Sequence, residues 1–392
     1  MSNTPEARVI DPAVTCRGST RPVSNEGKIA QTPTGSRSAF NPYVQGARGA
    51  FCLLLFVFHV ANSGLPSFGF LSAGVANHFL LSLQYGVELF FLISGYVIVG
   101  VIRKSSSPWK FLRDRAIRIL PVLWATMPFV LTLEYLGHRF GVNDIPLFDL
   151  FPILLANLLC LPPVVPLPLL HQAAWSLSFE FSFYLFAAVS IWWRRYHSWM
   201  AYLLAFPIAM FLYLHPRAWF FVPGVLVASG LLSHPFLRRF TRHPAPFLAL
   251  FLGAWWEVIG LDTNQTMSGW GASSFVFLFI ALAAATIAFK GIVDGDGWIG
   301  ALLTSRVMQF LGLISYSLYM WEFITMAVVK RVIETSGLPL VLGVWSQVTF
   351  FILAFPITVF VAWISQRLIE QGVCGWLRNL ARRPSHAVNQ PT

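Results

Sequence analysis

Charge is scarce in this chain: only 11% of its 392 residues are Asp, Glu, Lys or Arg, against 56% hydrophobic. Too few polar side chains remain to cover a soluble globule of this length, so lipid is the expected outer solvent. Cysteine is scarce as well. Cys16, Cys52, Cys160 and Cys374 fall in different segments without metal-type spacing, which implies neither a disulfide framework nor a metal site. The first 45 residues lack an apolar run and are rich in Ser, Thr, Pro, Gly and Asn. That composition excludes a signal peptide and predicts a disordered cytoplasmic tail. No repeat relates the two halves of the chain, so one membrane domain over 46–370 and a short basic tail over 371–392 are expected.

Long apolar runs are what the chain has in abundance. Hydrocarbon cannot satisfy backbone N–H and C=O groups, and runs of about twenty residues, in place of ten-residue alternations, select helices over a barrel. The expected fold is therefore all-α, a polytopic transmembrane helix bundle. Its ten predicted spans cover about 46–65, 79–102, 117–137, 174–193, 199–214, 218–233, 246–261, 272–289, 307–329 and 340–365. A shorter apolar piece at 148–161 runs into the Pro-rich stretch Leu161 to Pro168, which predicts a short extra helix or re-entrant element. The 15 Trp and 10 Tyr suit the membrane interface.

A net charge of +11 raises nucleic acid as a partner, but the basic residues sit in short loops between apolar runs and report topology first. With both termini in the cytoplasm, only Arg139, Arg217, Lys330 and Arg331 of the 27 Lys and Arg fall outside. This bias supports the even span count and the orientation together, with membrane lipids and no nucleic acid as the surroundings.

Ionisable residues within spans carry the functional signal, because each is costly in lipid. Arg48 and His59 are eleven residues apart on the first span, almost three turns, so they share a face about 16 Å apart along the axis. An imidazole can take a hydroxyl proton near neutral pH and an Arg at the rim can hold a phosphate; an anchoring Arg and a satisfied core His are the structural alternative. Glu88, within Gly86 to Tyr96, needs a partner: it either orients a histidine or sugar, or makes a packing hydrogen bond. Arg113, Arg115 and Arg118 run into the third span, where they could grip nucleotide phosphates, with topology and anionic lipid as the structural alternative. Trp175, Ser176, Glu180 and Tyr184 open the fourth span, with Glu180 and Tyr184 four apart on one face; they line an acceptor pocket or satisfy each other. Tyr316, Tyr319 and Glu322 bring polar groups into the ninth.

The order of these pieces is distinctive. Arg48 with His59, then Gly-Val-Glu-Leu-Phe-Phe-Leu-Ile-Ser-Gly, the Arg113 to Pro121 run, Trp-Ser-Leu-Ser-Phe-Glu-Phe-Ser-Phe-Tyr, and Ile-Ser-Tyr-Ser-Leu-Tyr together resemble the acyltransferase-3 family of membrane O-acyltransferases over roughly 43–370. The resemblance implies transfer of an acyl group, usually acetyl from acetyl-CoA as co-substrate, onto a hydroxyl of a cell-envelope carbohydrate or glycolipid, in the inner (cytoplasmic) membrane of a bacterium. It casts His59, Glu88 and Glu180 as catalytic. Arg48, Arg113, Arg115 and Arg118 would bind acyl-CoA, and Trp175, Ser176, Tyr184, Tyr316, Tyr319 and Glu322 would bind substrate. One departure stands out: the family's late motif commonly ends in His where this chain has Glu322. The rival from another class is a transporter or flippase of glycans or lipids that uses the same Glu and His residues as a proton relay.

Overall fold

The computed structural model describes residues 41–137, 146–193, 203–260, 266–295 and 297–381. The expected N-terminal tail falls almost wholly outside them, as do Arg139, Arg194, Arg195 and the C-terminal end beyond residue 381. Among the described residues every regular element is helical and no strand occurs. The principal helices are α1 (Pro42–Ala61), α2 (Gly86–Lys104), α3 (Pro108–Gly137), α4 (Leu147–Leu158), α5 (Trp175–Trp193) and α6 (Ala205–Leu214). They continue as α7 (Phe221–Ser229), α8 (Pro244–Ile259), α9 (Ala272–Asp294), α10 (Arg306–Thr335), α11 (Ser346–Ser365) and α12 (Cys374–Leu380).

Each of the ten segments expected as spans contains a helix, but they are not equal in length. Among the described residues, seven helical stretches are long and apolar enough to cross a membrane. The segments at 199–214 and 218–233 instead form a pair, Ala205–Leu214 and Pro216–Ser229, bent by 120° at its break, and α8 is a shorter apolar helix of 16 residues. The short helix expected near 148–161 is α4, 12 residues long. Asn157 ends it by accepting from the Leu170 N–H (2.9 Å) and donating to the Pro168 carbonyl (2.9 Å), which folds the Pro-rich stretch back on the helix.

Local chemistry sets where the key helices begin and how closely they pack. Asn41 caps α1, its side chain accepting from the N–H groups of Tyr43 and Val44, with Pro42 following at the first turn. Ser305 caps α10 by accepting from the Met308 N–H. These two helices pack against each other, and glycine allows the approach: a Cβ at Gly49 would strike the Met308 carbonyl and Gly312 N, and one at Gly312 would strike the Gln45 carbonyl. A second such contact joins α2 to α7, where a Cβ at Gly95 would meet the Phe221 carbonyl and one at Gly224 the Leu92 carbonyl. Apolar side chains cover much of the outer surface, with Phe129, Leu185, Phe279 and Phe360 all exposed, as a lipid-solvated bundle requires.

Candidate active site

The shared face of Arg48 and His59 is turned toward α10. Arg48 donates from Nε to Ser315 Oγ (3.1 Å), and His59 Nδ1 lies 2.6 Å from Glu322 Oε1. Between them, Cys52 Sγ reaches the Ser315 carbonyl (3.2 Å). One face of α1 therefore reads one face of α10 over several turns, held close by the glycine contact.

Two cavities flank this seam. The first, about 130 Å³, is lined by Arg48, Arg115 and Arg118, together with Glu180, Tyr184 and Tyr316. Glu180 accepts from Ser94 Oγ (2.8 Å) and from the Tyr184 hydroxyl, while the Arg115 guanidinium lies over the Tyr184 ring at 5.5 Å. Tyr316 donates to the Ile119 carbonyl (2.7 Å), tying α10 to α3. Three guanidiniums against one carboxylate leave the walls net positive, which favours an anionic guest.

Arg113 does not join them. It points to a separate surface hollow with Ser107, Trp109 and Lys110, and it donates to the Ala381 carbonyl (3.1 Å). The helical turn explains the split: at about 100° per residue, Arg115 and Arg118 lie about 60° apart around α3, whereas Arg113 faces nearly the opposite way from Arg115.

The second cavity, about 560 Å³, contains His59, Asn62, Gln84, Gln172, Trp175 and Arg217 among its walls, with apolar Pro163, Leu167 and Leu169 from the Pro-rich stretch. Its volume is within the range of about 300–1,000 Å³ usual for small-molecule sites. Val87 and Tyr319 line both cavities and form their common wall. Tyr319 lies 3.0 Å, hydroxyl to hydroxyl, from Ser176 of the first cavity, so Trp175 and Ser176, adjacent in sequence, serve different cavities. His59 retains 22% side-chain exposure, and its partner Glu322 only 1%. An imidazole so placed can exchange a proton with a guest while a buried carboxylate fixes its ring through Nδ1. His171, by contrast, is fully buried at the turn leading to α5. Its Nδ1 accepts from the Ala173 N–H (3.2 Å), and burial pushes the imidazole down to about 4.

Glu88 meets Arg217 and Trp255 and not His59, which matches the packing alternative for this residue. It is completely buried, paired with Arg217 Nη1 (2.8 Å), and accepts from Trp255 Nε1 (3.0 Å). The carboxylate that meets His59 is Glu322, and neither Glu88 nor Glu180 occupies that position. A fully desolvated carboxylate must be neutralised, and the cation comes from the 120° bend after α6, which turns Arg217 into the core against the rings of Tyr85 (5.8 Å) and Trp175 (5.3 Å). Sequence reasoning placed Arg217 in an outer loop. The signal available was a lone cation inside the apolar Pro216–Phe220 turn.

Comparison with known proteins places the chain in a family. A family model described as an acyltransferase domain matches residues 41–367. The exopolysaccharide production protein ExoZ of Rhizobium meliloti (strain 1021) is 29% identical over 336 residues, covering 78% of this chain and 92% of that protein. No solved structure matches. The match takes in every residue of both cavities, and with the long apolar helices around them it identifies the chain as a multi-pass membrane acyltransferase of the acyltransferase-3 family.

Proposed function

We propose that the protein is an O-acyltransferase that moves an acyl group, acetyl foremost, from acyl-CoA to a hydroxyl of an exopolysaccharide or related envelope carbohydrate at the bacterial inner membrane. The observation that carries this reading is the His59–Glu322 pair (2.6 Å) in a cavity that shares a wall with a three-arginine cavity. Phosphates of the donor suit Arg48, Arg115 and Arg118. Amide side chains of Asn62, Gln84 and Gln172 beside the Trp175 ring suit the hydroxyls and the apolar face of a sugar. The name of the Rhizobium relative, exopolysaccharide production protein, supports a polysaccharide acceptor.

In this reaction His59 accepts the acceptor hydroxyl's proton while Glu322 stabilises the imidazolium that forms, and the oxygen attacks the thioester carbonyl. Coenzyme A leaves as a thiolate, a good leaving group, so positioning and proton transfer supply the catalysis. The test is purified protein with labelled acetyl-CoA and an envelope glycan extract. Label in the glycan supports the reading. Solute uptake by proteoliposomes without label transfer refutes it and favours a carrier. Mass spectrometry of glycans from a deletion strain identifies the acceptor by its missing acyl group.

A further inference from the structure

Hydroxyl attack on a thioester carbonyl creates an oxyanion, and a site built for this step needs a hydrogen-bond donor aimed at that oxygen. His59 and Glu322 handle the proton, Arg48, Arg115 and Arg118 line only the donor cavity, and Arg217 is engaged by the buried Glu88, so none of these supplies it. The reacting carbon has to sit where donor and acceptor cavities adjoin. Only Val87 and Tyr319 line both among the described residues, and Val87 has no polar side-chain atom.

We propose that the Tyr319 hydroxyl is a catalytic residue's donor, holding the thioester carbonyl oxygen as it becomes the oxyanion, in the O-acyltransferase reaction set out above. Its neighbour is arranged to allow this. Ser176 has one hydroxyl hydrogen and two acceptors within reach, the Ala173 carbonyl at 3.3 Å and Tyr319 Oη at 3.0 Å. When Ser176 donates to Tyr319, the tyrosine's own hydrogen is free for the junction. The acceptor oxygen bonds to the carbonyl carbon, its proton passes to His59, and the carbonyl π pair moves to the oxygen held by Tyr319. Collapse re-forms the carbonyl and breaks the C–S bond. The leaving thiolate takes the proton from His59, giving the ester and free coenzyme A.

Tyr319→Phe in the full-length protein tests the assignment by steady-state transfer of label from acetyl-CoA. The expected result is a kcat lower by about 10²- to 10³-fold, with KM for both substrates within about twofold. Binding of a non-transferable acetyl-CoA thioether and the melting temperature in detergent stay at wild-type values. Ser176→Ala loses about fivefold, because it removes only the group that orients the tyrosine. A Tyr319→Phe enzyme within about threefold of wild type in kcat overturns the assignment. So does a loss confined to KM, a loss of analogue binding or stability, or a Ser176→Ala defect equal to that of Tyr319→Phe, which would make the pair a structural latch. Failure of the wild-type protein to transfer any label sinks the O-acyltransferase reading itself and this assignment with it.

Discussion

The two cavities sit back to back against the same pair of helices, yet they are built on opposite electrostatic plans. The arginine cavity gathers Arg48, Arg115 and Arg118 around a single carboxylate, Glu180. In the histidine cavity each ionisable side chain has a carboxylate partner: His59 with Glu322 and Arg217 with Glu88. The first attracts an anion. The second offers amides, an indole and one proton-exchanging ring to a neutral polyol. In the reaction we propose, the donor takes the arginine side and the acceptor the histidine side, with the chemistry at the wall between them.

That division can be broken in graded ways. His59→Ala should lower transfer by about 10³-fold or more, with acyl-CoA binding and protein abundance unaltered; isothermal titration beside the transfer assay separates the two cavities. Glu88→Gln removes the carboxylate that balances the Arg217 charge in the core, which costs about 3 to 5 kcal/mol and is read as a fall in melting temperature in detergent. Glu322→Gln keeps a hydrogen-bonding group but removes the charge that steadies the imidazolium. Its kcat should fall about 10²-fold with KM for acetyl-CoA held. Arg115→Ala and Arg118→Ala should each raise that KM by about tenfold or more, the worth of a charge-assisted hydrogen bond, and leave melting temperature near wild type. Arg113→Ala, whose side chain serves the surface hollow, should change it by no more than about twofold; a defect equal to that of Arg115 would erase the boundary drawn around the donor cavity.

Local periodicity made part of this site legible in the sequence. The eleven-residue spacing of Arg48 and His59 places both toward α10 because a helix returns to the same face after almost three turns. Glu180 and Tyr184, one turn apart, meet as their spacing implied. Partnerships between distant helices were not legible. Glu88 finds Arg217 across 129 positions and His59 finds Glu322 across 263, distances over which no periodicity extends. The resemblance casts Glu322, where the family's late motif commonly ends in His, as a substrate-binding residue. In three dimensions it is the group that holds His59. The apolar segments were legible as helices throughout, but hydropathy does not register the 120° bend between α6 and the segment that carries Arg217.

The most direct test is a single preparation of His59→Ala assayed for two quantities, acyl-CoA affinity and acyl transfer. Separate cavities with one shared wall predict wild-type affinity with transfer abolished. Substantial transfer by that variant, or loss of both quantities in a stably folded protein, would contradict the division of labour between the arginine and histidine cavities.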